Sequence, residues 1–171
     1  MNSAVDNSAL ETEIADFIKS RRSLQLATLG EDGIPYASYA PFAFSDNGFY
    51  ILISEIAVHA KNLQLNPSAS AMIIEDEDSA SELFARMRVS YQLEATLIEV
   101  DTPAWTKGVE TLVERQGKLI NHLSQHADFK LFELTPTKGR FVKGFGRAYA
   151  LKGTGLLDNS IEHLRDGHVK R

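Results

Sequence analysis

The sequence predicts a small antiparallel β-barrel of the α+β class, with a few helices packed outside it. About six segments either alternate apolar and polar residues or are apolar throughout, as strands do. The strongest turn signals, Asp32–Gly33 and Asn47–Gly48, join neighbouring segments as hairpins. Hairpin-joined strands form antiparallel sheets, and a sheet that closes on itself leaves its helices on the outside.

Composition favours one globular domain and excludes several classes of site. The 171 residues are enough to bury one core, so we predict a single domain over residues 1–171. The net charge of −5 argues against a broad nucleic-acid surface. The chain has no cysteine, which excludes disulfides, iron–sulfur ligation and thiol nucleophiles.

The sequence also bears on the location of the protein. The first residues, MNSAVDNSAL, lack the basic region and apolar run of a secretion signal. No stretch approaches the ~18 consecutive apolar residues of a membrane-spanning helix. We therefore expect a cytoplasmic protein with neither a membrane nor a nucleic acid as partner.

The chain begins with a predicted helix within residues 1–22. Ser8 and Glu11 form a Ser-x-x-Glu capping box ahead of apolar residues at helical spacing, and the helix is expected to end near Arg22. Strands are predicted for SLQLATLG, YASYAPFAF and GFYILIS. The last of these is apolar on both faces, so we expect a second subunit to cover one of them.

A second helix, a strand and a short third helix are predicted next. The second helix ends before Pro67, and its apolar stripe consists of Ile56, His59, Ala60 and Leu63. The segment SASAMIIEDE predicts a strand. Ser79 and Glu82 repeat the capping-box pattern and predict a short helix through Phe84.

The second half begins with the clearest strand of the chain. From Arg88 onward, alternate residues are apolar and are predicted to face the core: Val89, Tyr91, Leu93, Ala95 and Leu97. Thr102–Pro103 is a cap and first-turn proline, and one long helix should carry its apolar stripe to Leu123. The segments FKLFELTP, RFVKGF and RAYALKG predict closing strands, and residues 153–171 a polar tail.

No familiar catalytic motif is present. There is no phosphate-binding loop, Rossmann glycine fingerprint or His-Glu-x-x-His pair. The glycines of KGFG, Gly144 and Gly146, are interpreted as a bulge or a tight corner of the barrel.

The histidines are His59, His122, His126, His163 and His168. On its helical stripe, His59 is interpreted as half-buried and hydrogen-bonded. His122 and His126 have the spacing of metal ligands, but a cation at a helix end also favours the helix dipole, and no carboxylate-rich shell surrounds them. His163 is interpreted as solvated. His168 lies either in a frayed tail or in a tail that folds onto a ligand.

Seven segments between about Leu24 and His168 together resemble the HutZ/HugZ family of haem-utilisation proteins. In order they are LQLATLGEDGIPYASYAPF, IAVHAKNL, NPSASAMIIEDE, LFARMRVSY, DFKLFELTP, FVKGFGRAY and DGH. The resemblance implies an antiparallel split β-barrel of the FMN-binding type with flanking helices, shared with the pyridoxamine-phosphate-oxidase-like proteins. It also implies a cytoplasmic homodimer that binds haem, opens the ring oxidatively and releases iron.

The resemblance implies roles for particular residues. His168, preceded by Gly167, would be the axial ligand of the haem iron in the 153–171 tail. Asp128 of the partner subunit would accept the imidazole N–H, and Arg88 would serve the distal side of the haem with Arg86 beside it on the same face. Charge alone makes Lys143, Arg147, Lys170 and Arg171 candidates for the haem propionates, but surface solubility is the stronger interpretation of these four residues.

Two other functions remain open at this stage. The shared fold allows an FMN-dependent oxidoreductase, but the stretch 54–61, with Ser54, His59 and Lys61, only partly resembles a flavin-phosphate site. A haem carrier or store would need His168 but not Arg88. For the haem-degrading enzyme we expect haem as both cofactor and substrate, no FMN, and an electron donor and a haem-delivery protein as further partners.

Overall fold

The computed structural model describes residues 3–152 and 160–164, and there the chain forms one curled, antiparallel half-barrel. Its nine strands are β1 (Ser23–Leu29), β2 (Pro35–Pro41), β3 (Ala43–Phe44), β4 (Phe49–Ser54), β5 (Ser68–Ile74), β6 (Arg88–Ile98), β7 (Phe129–Val142), β8 (Ala148–Lys152) and β9 (Ser160–Leu164). Four α-helices accompany them in this part of the chain: α1 (Ser3–Lys19), α2 (Val58–Leu65), α3 (Pro103–Gln116) and α4 (Leu119–Leu123). The predicted α+β class is confirmed.

The long antiparallel pair β6–β7 forms the centre of the sheet. The strand order is β2-β1-β5-β6-β7-β4-β3, and β8 joins β7 and carries β9. Arg88 lies opposite Val142 at one end of the pair, and Ile98 lies opposite Leu131 at the other. Strand β7 pairs with β4 through its first half and with β8 through its second half. Every other strand is therefore attached, directly or through a neighbour, to this one ladder.

A β-bulge divides β7 at Thr137. Gln92 pairs with Lys138 and Leu93 with Pro136, which leaves Thr137 without an opposite residue. Its hydroxyl donates to the carbonyl of Gln92 at 3.3 Å. Such a bulge bends the strand and increases its twist.

The bulge explains why the sequence predicted two strands where the structure has one. Before it, the buried residues Phe132 and Leu134 occupy even positions, whereas after it the buried residue Phe141 occupies an odd position. The extra residue thus keeps the same side of the strand facing the core. This break in alternation, next to Pro136, ended the predicted strand FKLFELTP too early.

The main core fills the inside of the half-barrel. Helix α1 contributes Leu10, Ile14 and Ile18, which are buried with apolar residues of β1, β4, β5, β6 and β7. The ring of Phe17 packs at 6.4 Å from that of Phe141. Because α1 fills the same cluster as the strands, the N-terminal helix is part of the core.

Arg115 of α3 ties the end of α1 to the sheet. Its guanidinium lies 5.0 Å from the ring centroid of Phe42 and 4.9 Å from that of Phe44. It also donates to the carbonyl of Lys19 at 3.2 Å and to that of Arg21. A cation suits the carbonyl end of a helix and the faces of aromatic rings, so one side chain joins three elements.

A second core lies between the sheet and the α3–α4 segment. Tyr50 and Leu52 of β4 and Leu131 of β7 are buried against Trp105 and Leu112 of α3. The prediction that a second subunit covers one face of β4 is wrong, because α3 of the same chain covers it.

Helix α2 packs on β1 through Ala60 and Leu63 and through a buried polar pair. The side-chain amide of Asn62 donates to the hydroxyl of Thr28 at 3.0 Å. The predicted stripe is wrong at Ile56, which precedes the helix and is 78% exposed.

Two of the three predicted helix caps differ from the structure. Helix α1 begins at Ser3, so the capping-box residue Ser8 lies inside it and its carbonyl accepts the hydroxyl of Thr12 at 3.0 Å. Glu82 instead caps its own short 3₁₀ turn by accepting the amide of Phe84 at 2.9 Å. The third start is confirmed, because the Thr102 hydroxyl accepts the amide of Trp105 at 3.2 Å.

The later segments bring three further corrections. The long helix predicted after Thr102 breaks at Gly117, whose φ of 100° is left-handed, so Leu119 begins a separate helix and is 65% exposed. Leu97 is exposed near the end of β6, where a core position was predicted. Strand β9 was not predicted, because its residues are largely polar. It is held by antiparallel pairing with β8, from Ala148 opposite Leu164 onward.

In the residues that the structure describes, no helix has both the length and the apolar character needed to cross a membrane.

Replacing Gly48 by alanine should destabilise the protein more than replacing Gly33. A Cβ on Gly48 would overlap the carbonyl oxygen of Leu134 and lie 2.7 Å from Cδ of Pro136, whereas Gly33 has open space but a φ of +75°. We expect a loss of about 2–3 kcal/mol for Gly48→Ala, from overpacking, and of about 1 kcal/mol for Gly33→Ala. Urea unfolding of both variants measures the difference. Equal losses would contradict the close approach of this hairpin to β7.

Candidate functional site

Asp128 is held at the point where β7 begins. Ser54, the last residue of β4, pairs with Phe129, and its hydroxyl donates to Asp128 Oδ2 at 2.5 Å. The backbone amide of Glu55 donates to the carbonyl of Asp128 at 2.7 Å. These two bonds fix both the backbone and the carboxylate of Asp128, which is half-buried. The hydroxyl of Ser54 therefore orients the acidic side chain rather than serving a phosphate.

His59 lies one turn beyond Ser54 and is bound within the chain. The turn is closed by the amide of Ala57, which donates to the carbonyl of Ser54 at 3.0 Å. His59 Nδ1 lies 2.9 Å from the hydroxyl of Ser38 on β2. Burial lowers the pKa of His59, so its neutral form is favoured. The prediction of a half-buried, hydrogen-bonded histidine is confirmed.

Arg86 and Arg88 differ in their surroundings. Arg88 is the first residue of β6, and its Nη1 donates to the carbonyl of Arg86 at 2.9 Å. Arg86 precedes the strand, and its Nε donates to the carbonyl of Glu75 at 2.9 Å while Nη1 lies 3.5 Å from the carboxylate of Glu77. Since β6 begins only at Arg88, strand alternation does not relate the two arginines, and their sharing of one face stays a prediction. Arg86 joins the end of β5 to the start of β6.

Two of the four candidate propionate ligands lie in described residues. Lys143 Nζ forms an ion pair with Glu13 of α1 at 2.6 Å, so its charge is already matched within the chain. Arg147 is exposed in the turn between β7 and β8. That turn contains Gly144 and Gly146, with φ of 145° and 67°, and confirms the predicted tight corner. Lys170 and Arg171 lie outside the described residues.

Arg88 and Asp128 lie far apart in one chain. Arg88 pairs with Val142 at the end of β7, whereas Asp128 precedes Phe129 at its start. A strand rises about 3.3 Å per residue, so the two ends of the 14-residue β7 are about 40 Å apart along the strand. A single compact site within one chain therefore does not contain both residues.

The last described strand, β9, ends level with Arg88, with β8 and β7 between them. Leu164 pairs with Ala148, Ala148 with Val142, and Val142 with Arg88. Neighbouring strands are about 4.8 Å apart, so the backbones of Leu164 and Arg88 are about 14 Å apart across the sheet. The predicted ligand His168, with Gly167, lies outside the described residues, four positions beyond Leu164.

An open groove lies on the outer face of the sheet, across β1, β2, β5 and β6. Its volume is about 670 Å³, and its lining carries no charged side chain: it includes Gln25, Ala27, Tyr39, Ser70, Met72 and Ser90. Tyr39, Gln25, Met72 and Ser90 follow one another in register across the four strands. Ser90 is two residues from Arg88 on the same strand, and therefore on the same face. Arg88 thus flanks an uncharged groove in which Tyr39 is 67% exposed.

Among the described residues, no three histidine, aspartate or glutamate side chains gather in a way that could hold a metal ion. The sequence did not reveal that Ser54 and Ser38 bind Asp128 and His59. The two partners of each pair lie on different strands or helices, 74 and 21 positions apart, and no local motif marks them.

The chain is similar to a known protein family and to solved structures. Residues 10–143 match the family described as pyridoxamine 5'-phosphate oxidase. The chain is 47% identical over 161 residues to a Vibrio cholerae serotype O1 protein named heme oxygenase HutZ, a match that covers 94% of this chain and 90% of that protein.

Two crystal structures share both the fold and much of the sequence. HutZ from Vibrio cholerae, described in that structure as a heme storage protein, has a TM-score of 0.76 at 48% identity and covers 80% of this chain and 96% of its own. Campylobacter jejuni ChuZ has a TM-score of 0.85 at 32% identity, over 96% of this chain and 67% of its own. The chain therefore has the split β-barrel fold and belongs to the HutZ/HugZ group of the pyridoxamine 5'-phosphate oxidase family.

Proposed function

We propose that this protein binds haem in the cytoplasm and opens the porphyrin ring oxidatively, with oxygen and an electron donor, so that iron is released for use. Bound haem supplies the redox chemistry, and the chain supplies a ligand, orientation and electrostatics. His168 is the axial ligand, Asp128 of the partner subunit accepts its N–H, and Arg88 donates hydrogen bonds on the opposite side. The proposal rests on the family and on the positions of the described residues.

The strand order is the observation that carries this proposal. Leu164, four residues before His168, lies level with Arg88 across β8 and β7, whereas Asp128 lies at the far end of β7. Four residues span at most about 14 Å, which equals the distance between the backbones of Leu164 and Arg88. His168 and Arg88 of one chain can therefore serve one haem, and the carboxylate has to come from a second copy. A homodimer then holds two haems.

The outer groove supports the same arrangement. It is uncharged, exposes the ring of Tyr39 and lies on the face of Arg88, as a flat and largely apolar macrocycle requires. The same face is the part of the described sheet without a helix over it, so a second copy has room to approach there.

Asp128 is suited to orient and polarise an imidazole. Its carboxylate accepts the hydroxyl of Ser54 through Oδ2 and retains further acceptor capacity for an N–H. A carboxylate that accepts the N–H of an axial histidine gives the imidazole anionic character and raises electron density at the iron. The bond from Ser54 thus fixes the direction of a group whose charge tunes the metal.

Haem storage is the second candidate, because the Vibrio cholerae relative is described both as an oxygenase and as a storage protein. Storage requires the axial ligand and the groove but no hydrogen-bond donor at Arg88.

The described contacts argue against an FMN enzyme. In the stretch 54–61, Ser54 is bound to Asp128 and His59 lies against Ser38. Of the three polar side chains considered there for a flavin phosphate, only Lys61 is exposed and without a described partner.

Replacing His168 by alanine should weaken hemin binding and change the Soret absorption, because the axial ligand is lost. His122→Ala is the matched control, since His122 is exposed on α4 and remote from Arg88. Hemin titration followed by absorption spectroscopy compares the two variants with the native protein. An unchanged spectrum for His168→Ala would exclude it as the ligand, and His59 would be the next candidate.

Replacing Asp128 by asparagine should preserve hemin binding but markedly slow haem degradation. An amide oxygen still accepts a hydrogen bond from Ser54 and from the imidazole, but the charge that tunes the iron is lost. Ser54→Ala is the matched control, because it removes the orienting bond and keeps the charge, and its effect should be smaller. The decay of hemin absorbance with a reductant in air gives both rates. A native rate for Asp128→Asn would leave this residue only a structural role at the turn.

Mixing two impaired variants tests whether Asp128 acts across the dimer. A dimer of one Asp128→Asn chain and one His168→Ala chain contains one site with both native residues. Random exchange puts half of the chains in such dimers, so about a quarter of the native activity should return. Sedimentation confirms that dimers form. No recovery from an exchanged mixture would place both residues in the same chain.

Replacing Arg88 by glutamine distinguishes degradation from storage. In the proposed enzyme the variant binds hemin as tightly as the native protein but degrades it at least about tenfold more slowly, because a charged hydrogen-bond donor is lost. Lys118→Gln, in the exposed turn between α3 and α4, is the charge-matched control. Single-turnover absorbance and mass spectrometry of the product measure the outcome. A native protein that holds hemin unchanged with reductant and oxygen would favour storage.

A further inference from the structure

The rings of His122 and His126 meet at the end of α4, away from the groove and from Arg88. Their Nε2 atoms are 3.4 Å apart, and the ring planes cross at 82°. Both side chains are exposed. The helix-dipole interpretation accounts for two cations near a helix end, but it does not require the two nitrogens to point at each other.

Backbone hydrogen bonds fix the segment that carries the two histidines. The amide of Gln125 donates to the carbonyl of His122 at 3.3 Å, and that of His126 to the carbonyl of Leu123 at 3.1 Å. The amide of Phe129 then donates to the carbonyl of His126 at 3.1 Å. On the opposite side, Ile120, Leu123 and Phe129 pack into the second core. The pair therefore projects from an anchored segment, which lowers the cost of orienting it around a ligand.

The separation of the two nitrogens is within hydrogen-bond distance, and it also fits two ligands of one tetrahedral metal ion. Zinc binds imidazole nitrogen at about 2.05 Å in tetrahedral sites, so two nitrogens on one zinc ion are about 3.4 Å apart. The right angles of square-planar or octahedral coordination at a similar bond length would bring them to about 2.9 Å. The observed 3.4 Å matches the tetrahedral case.

We propose that His122 and His126 bind one Zn²⁺ ion through their Nε2 atoms, with water in the remaining positions. The spacing of four residues is that of the histidine pairs in helical zinc sites, and here His122 lies in α4 while His126 lies in the turn that follows it. No third histidine or carboxylate among the described residues joins the pair. The ion is therefore bound less tightly than in a closed four-ligand site, and it exchanges with solution.

Calorimetric titration of Zn²⁺ into hemin-free, metal-free protein tests this site independently of haem chemistry. The native chain should bind one ion per protomer, and either His122→Gln or His126→Gln should weaken binding by at least about tenfold, because loss of even an outer partner of a zinc ligand costs that much. Gln125→Ala, on the exposed part of the same segment, and His168→Ala should bind as the native chain does. Thermal unfolding checks that both glutamine variants remain folded.

Binding of Co²⁺ in place of Zn²⁺ tests whether the coordination at this site is tetrahedral. Four-coordinate Co²⁺ absorbs visible light much more strongly than six-coordinate Co²⁺, so the native protein should give intense bands that both glutamine variants lose. Weak bands would overturn the tetrahedral assignment. Zn²⁺ binding that survives both substitutions, or that is absent from the native protein, would show that the two rings form only a hydrogen bond with each other.

Discussion

The β6–β7 ladder is the constraint on which the rest of the structure depends. Strands β5, β1 and β2 extend the sheet from β6, while β4, β3, β8 and β9 extend it from β7. The same ladder determines which candidate residues can meet. It holds Arg88 at one end and the start of β7, next to Asp128, at the other. Because backbone hydrogen bonds fix this separation, no choice of side-chain rotamer brings the two groups into one compact site.

The distribution of helices decides which face of the sheet stays available. Helix α3 buries the outer side of β4 and the first half of β7, and α1 fills the inside of the half-barrel. The groove on the outer face of β1, β2, β5 and β6 is lined mainly by small and amide side chains and by the exposed side chain of Tyr39. Because the apolar residues of the sheet fill two separate cores, the groove on this outer face is lined by side chains that are uncharged but not strongly apolar. Such a surface suits a flat ligand and the approach of another subunit.

The sequence predicted the fold class, the hairpins, β6 and the Thr102 cap, because alternation, turn dipeptides and capping act between near neighbours. Prediction from the sequence failed where the structure depends on contacts between residues that are far apart in the chain. The strand β9 has polar residues and exists through its pairing with β8, and the two halves of β7 looked separate because Thr137 shifts their alternation. Of the site, the resemblance supplied Arg88 and Asp128, whereas the bond from Ser54 to Asp128 joins two strand ends that no motif connects. Arg86 was expected within the β6 strand, but β6 begins only at Arg88, because the start of a strand is set by pairing with its neighbour and not by its own sequence pattern.

The length of β7 has a consequence for communication between sites. In the proposed dimer, one end of each β7 lies beside the Arg88 of one haem, and the other end carries the Asp128 that serves the second haem. Each β7 is then a continuous backbone connection, about 40 Å long, between the two proposed haem sites. The Thr137 bulge is the one point in the β6–β7 ladder where the register shifts. It is therefore the point at which the regular pairing that connects the two proposed sites is interrupted.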